Sequence, residues 1–401
     1  MCKFSVNSYE RPLKYGKLKV RGVFKVQEFI ERLDFIEKVD GRQQSKVKHK
    51  LKDILVIVLF ATFANCDDWV EIALYAQIHQ EYLKRYIKLS NGVPSHDTIQ
   101  RAMAMIDPDV LAQMQGEYQE LMNRGEGEKL KKIIAVDGKT IRGNKQEEIQ
   151  PVHIISAWSK EDGFCLGQKA VAEKSNEITA IPQLLMKLNI WKQIVTIDAM
   201  GTQTEIAKTI RRKKADYVLA LKGNHQNLYN DVRDYFDDPD FQKSVQSSEG
   251  YKKTTEKAHG RIETREYYQT GDIKWLENWD KWVGLKTIGM ERTTLQMRDG
   301  AESVEYRYYI SSLPQDIDTF SRAVSGHWSV ESMHWHLDVT FREDANHTID
   351  KTSAQNLNII RKFCLSVLKL VAIVPNKLSM KKKRFLLGQA TERYLEYVLD
   401  F

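Results

Sequence analysis

The stretch Ile133-Ile134-Ala135-Val136-Asp137-Gly138-Lys139-Thr140 decides how this chain folds. Four apolar residues run directly into an aspartate, and Gly138 is expected to end the strand just after it. A short, unbroken apolar run of this kind is typical of a strand buried on both faces of a sheet. We therefore predict a central strand that delivers the carboxylate of Asp137 to one end of the sheet.

The same pattern recurs in the stretch Ile194-Val195-Thr196-Ile197-Asp198-Ala199-Met200-Gly201. Two aspartates at the ends of two buried strands predict a shared site for a hard cation, because carboxylate oxygens suit Mg²⁺ or Mn²⁺. The alternative interpretation is that each aspartate only caps a loop or a helix.

The composition indicates a globular protein with a modest excess of positive charge. Of its 401 residues, 42% are hydrophobic and 29% are charged, and 61 lysines and arginines against 54 acids give a net charge of +7. That excess is compatible with a polyanionic partner. The four cysteines, at positions 2, 66, 165 and 364, lie far apart. Their spacing implies neither a disulfide framework nor a zinc site, and it favours a reducing compartment.

Nothing in the sequence predicts a targeting or membrane segment. The first five residues, Met-Cys-Lys-Phe-Ser, lack the apolar core of a signal peptide. The most apolar run, from Ile54 to Ala64, has about half the length that a bilayer crossing needs. We therefore expect a cytoplasmic protein with no membrane partner, associated with the nucleoid when it binds DNA.

Residues 1–124 are predicted to form an all-α N-terminal domain, beginning with a basic arm over residues 1–24. From residue 26 onward, apolar residues recur at the three- and four-residue spacing of helices. The turn at residues 91–95 precedes a capped helix that carries Gln100 and Arg101. A helix, a turn and a capped helix can read DNA, but small helical bundles without that role have the same pattern.

After a polar linker at residues 124–132, the pattern changes to alternating strands and helices. Three strands of antiparallel type are followed by a helix, the second aspartate strand, a helix and a strand over Tyr217–Leu221. This is the element order of an RNase H-like domain, with Asp137 on the first strand and Asp198 on the fourth. The predicted fold class is α/β, and residues 226–315 interrupt the order as a β-rich insertion.

A third acid is expected on a helix over residues 320–341. At 100° per residue, four polar residues fall within about 60° of one another. They are His327, Glu331, His334 and Asp338. Val330, Met333 and Leu337 lie on one side of this stripe, and Trp328 and Trp335 on the other. A cation shared with Asp137 and Asp198 would offset the cost of a half-buried Glu331. An ordinary amphipathic helix, and a zinc site on His327, His334 and His336, are the alternatives.

Several motifs in a fixed order resemble those of the insertion-sequence DDE transposases, in the group that includes the H-repeat-associated proteins. These motifs are Asp137-Gly138-Lys139, Asp198-Ala199-Met200-Gly201-Thr202-Gln203, Leu221-Lys222-Gly223-Asn224, His259-Gly260-Arg261-Ile262-Glu263, His327-Trp328-Ser329-Val330-Glu331, His334-Trp335-His336-Leu337-Asp338-Val339 and Phe341-Arg342-Glu343-Asp344. The resemblance covers about residues 26–375. It implies an RNase H-like DDE catalytic domain over 131–375, with Asp137, Asp198 and Glu331 as the catalytic and metal-binding triad. Residues 376–401 are predicted to form a basic, helical C-terminal tail.

The resemblance also implies a reaction and its partners. Such an enzyme cuts double-stranded DNA at transposon ends and joins the freed 3′-hydroxyl to target DNA, with two Mg²⁺ or Mn²⁺ ions and as a homodimer. Asp137 would bridge the ions, and Asp198 and Glu331 would each hold one. The candidate DNA contacts are Lys139, Arg142, Lys222, Asn224, Arg261, His327, Trp328, His334 and Trp335. A solvated basic rim, and packing of the tryptophans in the core, are the alternatives.

Two positions depart from the pattern of the relatives. Ser325 stands where many carry arginine, and Ser332 stands where many carry asparagine. The tyrosine, arginine and lysine that the wider superfamily places around its glutamate would fall on Val324, His327 and Asp338. Because a lost arginine removes a phosphate contact, two rival functions stay open. They are a metal-dependent nuclease that does not join strands and a weakened relative that only binds DNA.

Overall fold

The computed structural model describes residues 26–122, 131–144, 150–171, 176–246, 248–258, 260–371 and 378–399. The basic arm predicted at residues 1–24 lies outside the described residues, and so does most of the predicted linker at 124–132.

Seven α-helices lie within the described residues 26–122, which confirms the predicted helical N-terminal region. They are α1 (Val26–Arg32), α2 (Leu51–Phe63), α3 (Trp69–Ile78), α4 (Gln80–Leu83), α5 (His96–Met105), α6 (Pro108–Leu111) and α7 (Gln113–Met122). Side chains cap several of them at the N-terminus. Ser95 accepts a hydrogen bond from the amide of Thr98 at the start of α5, as the sequence predicts.

In the described ranges, nine strands form a single mixed sheet. They are β1 (Ile133–Thr140), β2 (His153–Ser159), β3 (Phe164–Val171), β4 (Ile194–Ile197), β5 (Asp216–Leu221), β6 (Tyr251–Ala258), β7 (Arg261–Thr270), β8 (Thr287–Met297) and β9 (Glu302–Ser311). Their order across the sheet is β3-β2-β1-β4-β5-β9-β8-β7-β6. Strands β1, β4 and β5 run parallel, and every other neighbouring pair is antiparallel.

The prediction that Gly138 ends the first strand is wrong. Strand β1 continues to Thr140 because β2 pairs with it along its whole length, with Gly138 opposite Ile155 and Thr140 opposite His153. On its other side β1 pairs with β4 only up to Val136, which lies opposite Ile197. Asp137 is therefore inside its own strand but just beyond the end of its parallel neighbour.

The predicted insertion at residues 226–315 is part of the same sheet. It begins with two helices that the sequence reading did not predict, α10 (Gln226–Asp237) and α11 (Pro239–Gln246). Strands β6 to β9 follow, and β9 pairs with β5 through Val218–Leu221. The insertion therefore widens the central sheet instead of standing beside it.

Helices cover both faces of the sheet. One face packs against α8 (Glu177–Lys187), α9 (Thr204–Arg212), α10 and α11 through a core that includes Ile134, Val136, Leu184 and Phe236. On the other face lie α12 (Ile317–Val339) and α13 (Lys351–Leu370). Successive residues of β1 thus point to opposite layers, with Ile133 in a cluster that contains Phe320 of α12.

The N-terminal helices share their core with the C-terminal end of the chain. Helices α14 (Met380–Gln389) and α15 (Thr391–Leu399) pack with α13 and the first seven helices into one cluster. In that cluster the ring of Phe29 stacks on Phe363 at 5.3 Å. The described residues 26–122 therefore share their core with α13, α14 and α15.

The C-terminal segment is helical as predicted, but two of its basic residues are not solvated. The guanidinium of Arg384 is fully buried and donates to Asp67 Oδ1, to the carbonyl of Thr62 and to the carbonyl of Thr340. Lys383 donates to the carbonyls of Leu368 and Val371. Burial is tolerated because these donors find acceptors, so neither side chain is available to bind DNA.

The apolar run Ile54–Ala64 forms most of α2, and twelve of that helix's thirteen residues are buried. Its hydrophobicity therefore reflects a position at the centre of a helical core. In the part of the chain that the structure describes, no helix is both long enough and apolar enough to cross a bilayer.

Candidate active site

Asp137 and Asp198 are brought together by the pairing of β1 with β4. Val136 lies opposite Ile197 in the parallel register, so the next residue of each chain segment is an aspartate at the same edge of the sheet. The amide of Gly138 donates to Asp137 Oδ1 at 2.8 Å, and His334 Nδ1 lies 3.4 Å from Asp137 Oδ2. The predicted meeting of the two aspartates thus follows from the topology.

The loop after β4 is held in place by backbone contacts. The amide of Gly201 donates to Asp198 Oδ1 at 3.2 Å. The hydroxyl of Thr202 donates to the carbonyl of Ala220 in β5, and Asn224 Nδ2 donates to the carbonyl of Ala199. Asp198 therefore lies on a loop that is attached to β5 and to the turn after it.

Glu331 is carried by α12, which crosses the sheet close to β1. A side chain at Gly326 would meet Ile133 at 2.9 Å, so the absence of a Cβ there lets the helix approach the strand. Other members of the predicted polar stripe face the sheet. His327 Nδ1 lies 3.0 Å from Thr196 Oγ1, and Asp338 pairs with Lys139 at 2.7 Å.

The three acids influence one another electrostatically. Burial raises the pKa of Asp198, and the charge of Asp137 raises it further. Glu331 is exposed, in contrast to the half-buried position expected for it, but partial burial still raises its pKa, and both Asp137 and Asp198 add to that increase. Asp137 therefore lies near enough to Asp198 and Glu331, and Asp198 to Glu331, to affect their pKa values, whereas their action as one site stays a prediction.

Asp137 differs from the other two acids because its surroundings favour the charged form. Burial raises its pKa, but the hydrogen bond from His334, the charges of His334 and His327 and the Gly138 amide outweigh burial. The pKa of Asp137 therefore lies below its usual value, and this carboxylate is the most firmly ionised of the three.

The donor set suits a hard cation, although the side chains do not form a closed cage. Among the described residues, no three histidine, cysteine, aspartate or glutamate side chains converge closely enough to hold an ion by themselves. Mg²⁺ in enzymes commonly binds to one or two carboxylates and completes its shell with water and substrate phosphates. Carboxylates that repel one another and do not enclose an ion by themselves are compatible with that mode of binding.

Some of the predicted DNA contacts lie at this edge of the sheet. The exposed ammonium of Lys222 is close enough to lower the pKa of both Asp198 and Glu331, against the effect of burial. His334 Nε2 is buried and has no hydrogen-bond partner among the described residues. Asn224 is exposed, but its amide nitrogen is already used by the loop of Asp198.

Other predicted contacts are engaged elsewhere. Lys139 forms ion pairs with Asp338, Glu343 and Asp344, at 2.7, 2.9 and 3.5 Å, and only 10% of its side chain is exposed. Arg142 is exposed, and its amide donates to Asp344 Oδ1. A phosphate contact by either residue stays a prediction, and for Lys139 it would compete with three carboxylates.

Arg261 is not brought to the acidic site. It begins β7, opposite Met297 at the end of β8. Glu291, which pairs with Arg307, is six residues farther along β8, or about 20 Å away at 3.4 Å per residue. A DNA contact by Arg261 would therefore involve a part of the duplex distant from the acids.

The aromatic residues of α12 have distinct environments. The ring of Trp328 lies under the guanidinium of Arg307 at 4.2 Å, whereas Trp335 is 56% exposed. The zinc alternative is not supported, since the three histidines have different neighbours. His327 contacts Thr196, His334 contacts Asp137, and His336 contacts Thr340.

Arg307 is a site residue that the sequence reading missed. Its guanidinium stacks on Trp328 and lowers the pKa of Glu331, against the effect of burial. It also donates to both carboxylate oxygens of Glu305. The only signal in the sequence is the alternating pattern of residues 305–310, which gives no information on which strand lies beside the acids.

The two departures from the family pattern lie on α12. Ser325 is partly buried, donates to the carbonyl of Arg322 at 3.3 Å and lines a cavity of about 550 Å³ with Arg265 and Arg322. Ser332 is exposed. The cavity therefore contains two arginines close to the position where Ser325 replaces one.

Two family profiles and several known proteins match this chain. The profile of the transposase DDE domain matches residues 128–368, and the profile described as DDE_Tnp_1-associated matches residues 33–119. A protein of Escherichia coli O157:H7 named "Putative transposase YncI" is 39% identical over 379 residues, which cover 92% of this chain and 94% of that protein. "H repeat-associated putative transposase YhhI" of E. coli K12 is 34% identical over 337 residues, covering 82% and 87%.

Among solved structures, a piggyBac transposase synaptic complex with hairpin DNA aligns with 94% of this chain and 79% of that chain. The TM-score is 0.39 and the sequence identity is 11%. A likeness at this level supports no argument about the present fold or its partners.

Proposed function

The chain belongs to the transposase DDE domain family, and on that premise we propose that Asp137, Asp198 and Glu331 are the catalytic triad of an insertion-sequence transposase. The observation that carries this proposal is that the charges of these acids raise the pKa values of their neighbours: Asp137 raises that of Asp198, and both raise that of Glu331. Asp137 lies on β1, Asp198 directly follows the parallel strand β4, and Glu331 lies on α12. Groups with shifted pKa values at one edge of a sheet are typical of catalytic sites.

We further propose that the catalytic region is RNase H-like. Strands β3-β2-β1-β4-β5 lie side by side, with the first three antiparallel and the last three parallel. That is the order expected from the sequence, and the helix with the third acid follows the insertion. The strand order supports this part of the proposal.

Asp137, Asp198 and Glu331 would hold Mg²⁺ or Mn²⁺, in keeping with two ions per site. When bound, such ions supply an activated water or hydroxyl and stabilise the leaving oxygen of a phosphodiester. The chain's own contribution is to orient the carboxylates. Asp137 is fixed by the Gly138 amide and by His334, and Asp198 is fixed by the amide of Gly201.

DNA would approach across a rim of positive and unpaired groups. Lys222 and Arg307 lie close enough to Glu331 to affect its charge, and Arg307 is backed by Trp328. His334 Nε2 is buried and has no hydrogen-bond partner among the described residues. Because Nδ1 donates to Asp137, a neutral ring only accepts at Nε2, and a phosphate contact there would need the doubly protonated imidazolium. Because two transposon ends must be joined in one reaction, a homodimer on double-stranded DNA is the proposed assembly.

The experiment uses the full chain and linear DNA that carries candidate inverted repeats, incubated with MnCl₂ or MgCl₂. We expect cleavage at the repeat ends by the wild type and a loss of at least about a hundredfold in Asp198→Asn and Glu331→Gln. The matched control is Glu205→Gln, because that carboxylate lies on α9 and its side chain is 73% exposed. Cleavage by Asp198→Asn at the wild-type rate would refute the triad.

A second arm separates cutting from joining. Pre-cleaved ends with a free 3′-hydroxyl are mixed with a supercoiled target plasmid, and joined products are counted. Cleavage without joining would identify a nuclease, and DNA binding without metal-dependent cleavage would identify a protein that only binds DNA.

A further inference from the structure

Behind Asp137, on the opposite face of the sheet, two buried polar side chains occupy the space beside Gly138. A Cβ built on Gly138 would overlap both His153 Nε2 and Glu177 Oε1. Glycine is therefore required here by the close approach of two side chains, since strand geometry alone would admit other residues. Gly138, which follows Asp137, therefore leaves room for the side chains of His153 and Glu177.

His153 and Glu177 form one end of a hydrogen-bonded chain. Glu177 Oε1 and His153 Nε2 are 2.5 Å apart, and His153 Nδ1 lies 2.8 Å from Thr140 Oγ1. Because a carboxylate oxygen accepts, Nε2 donates to it and Nδ1 accepts from the threonine hydroxyl. His153 is 3% exposed and Glu177 is 4% exposed, so water does not compete for these bonds.

The pair connects the strand that carries Asp137 to β2 and to the start of α8. Thr140 belongs to β1, His153 to β2, and Glu177 is the first residue of α8. Gly138, which the pair contacts, donates its amide to Asp137 Oδ1. On the other side, the charge of Glu177 is near enough to Asp198 to raise the pKa of that carboxyl, after burial and Asp137.

We propose that His153 and Glu177 are a positioning pair of the acidic site, which fixes the Asp137–Gly138 segment of β1 against the start of α8. The pair touches neither DNA nor the reacting atoms. It acts by setting where the Gly138 amide, and with it the Asp137 carboxylate, lies relative to Asp198. This inference rests on the proposed function, because it assigns these residues to the site at which a divalent cation would bind.

Two conservative variants of Glu177 separate positioning from charge. Glu177→Gln has nearly the same shape and still accepts from His153, whereas Glu177→Asp keeps the charge but withdraws its oxygens by one methylene. Outer partners of metal-binding groups typically change metal affinity by about tenfold or more when they are lost. We expect Mn²⁺ affinity within about threefold of wild type for Glu177→Gln and about tenfold weaker for Glu177→Asp.

The measurement is titration calorimetry with MnCl₂ on the full chain in the absence of DNA, below the thermal midpoint of every variant. Circular dichroism gives the folded fraction, so that affinity is expressed per folded molecule. Equal affinity in wild type and Glu177→Asp would overturn the proposal. An equal loss in both variants would also overturn it, because Glu177→Gln keeps the shape and the position of the side chain would then not account for the effect.

Asp198→Ala distinguishes failure of this inference from failure of the proposed function. If Asp198→Ala binds Mn²⁺ as wild type does, the acidic site itself is wrong. If it loses binding while Glu177→Asp does not, only the positioning pair is wrong.

Gly138→Ala tests the same contact from the strand. We expect it to displace the pair and to weaken Mn²⁺ binding about tenfold. Gly116→Ala is the matched control, because a Cβ at that position on α7 would meet nothing within 4 Å. Unchanged affinity in Gly138→Ala, with the folded fraction retained, would contradict the proposed role.

Discussion

Asp198 is placed beside a second acid, Asp137, and this placement does not favour the stability of the folded chain. Burial and the neighbouring Asp137 both disfavour its ionised form, so its pKa is raised in the folded chain. A raised carboxyl pKa means that its stabilising contribution is complete below the unfolded pKa and is lost as the pH rises through the folded pKa. At neutral pH, and without a cation, Asp198 therefore destabilises the fold.

Asp198→Asn is accordingly expected to raise the midpoint of thermal unfolding at pH 7 by about 1 °C, the effect of roughly 1 kcal/mol in a chain of this size. At pH 4 the gain should be smaller, because the wild-type carboxyl is then partly protonated. Differential scanning calorimetry in EDTA at both pH values measures this. A midpoint that falls in the variant would contradict the interpretation.

Arg307 is a candidate phosphate contact because its guanidinium lies near Glu331. If it contacts a phosphate, Arg307→Ala should weaken binding to a labelled duplex about tenfold and reduce the slope of log affinity against log salt by about 1. Fluorescence anisotropy at several salt concentrations gives both quantities. The control is Arg233→Ala, an exposed arginine of α10 paired with Asp234. An unchanged salt slope in Arg307→Ala would exclude a phosphate contact.

Helix α12 is positioned by glycines as much as by its own apolar residues. A Cβ on Gly289 of β8 would overlap the ring of Phe320, and one on Gly326 would meet Ile133. Because glycine stands at both positions, α12 lies close to the sheet. Glu331 is five residues beyond Gly326 on this helix. The register of this helix against the strands thus determines where the third acid lies.

Gly289→Ala is expected to destabilise the chain by about 1–3 kcal/mol, because Phe320 must leave its place against the strand. It should also lower the cleavage rate by moving α12. Urea unfolding followed by circular dichroism measures the stability change. The control is Gly41→Ala, since a Cβ there would meet nothing within 4 Å. Equal stability of Gly289→Ala and wild type would show that the helix adjusts without cost.

At the level of single helices and strands, the sequence predicted the structure where the spacing of apolar and polar residues was regular. The polar stripe of α12, the two aspartate strands and the capped helix α5 were all predictable from spacing. The end of β1 was not predictable from spacing. Its position depends on pairing with β2, and a glycine in the sequence does not indicate whether a partner strand is present. His153 and Glu177 gave no motif, since their partnership is created by the close packing of β2 against α8.

For the whole molecule, a buried ion cluster joins the strand of Asp137 to α13. Glu343 is fully buried and contacts Lys139 at 2.9 Å and Arg361 at 3.6 Å. Burial raises its pKa, but these two cations and Asn358 outweigh burial and lower the pKa to about 2. The stability from this group is therefore complete above pH 4.5 and is lost as the pH falls toward 2.

Between pH 4.5 and pH 2 we expect the wild type to lose about 3 kcal/mol through this group alone, on the scale of 1.36 kcal/mol per pKa unit. Glu343→Gln should be less stable at pH 7, because it leaves two buried cations with less compensation, but its stability should fall less steeply in acid. Urea titrations at four pH values test this, with the exposed Glu81→Gln as control. Parallel pH profiles for wild type and Glu343→Gln would contradict the assignment.

Larger features were only partly predictable. The α/β class and the helical N-terminal region follow from local patterns, and both are confirmed. That the insertion extends the sheet, and that Arg384 contacts Asp67 across more than three hundred residues, depends on contacts that no local pattern specifies. Long-range contacts of this kind also join the first and last described helices in one core.

The shared core of the first and last helices has a consequence for synthesis. A ribosome releases α1 to α7 long before α13, α14 and α15, so the earliest helices emerge without the residues that bury them. A nascent or prematurely terminated chain therefore lacks the guanidinium that Asp67 requires, and it stays open to proteases. The core of the helical region is therefore completed only after α13, α14 and α15 have been synthesised.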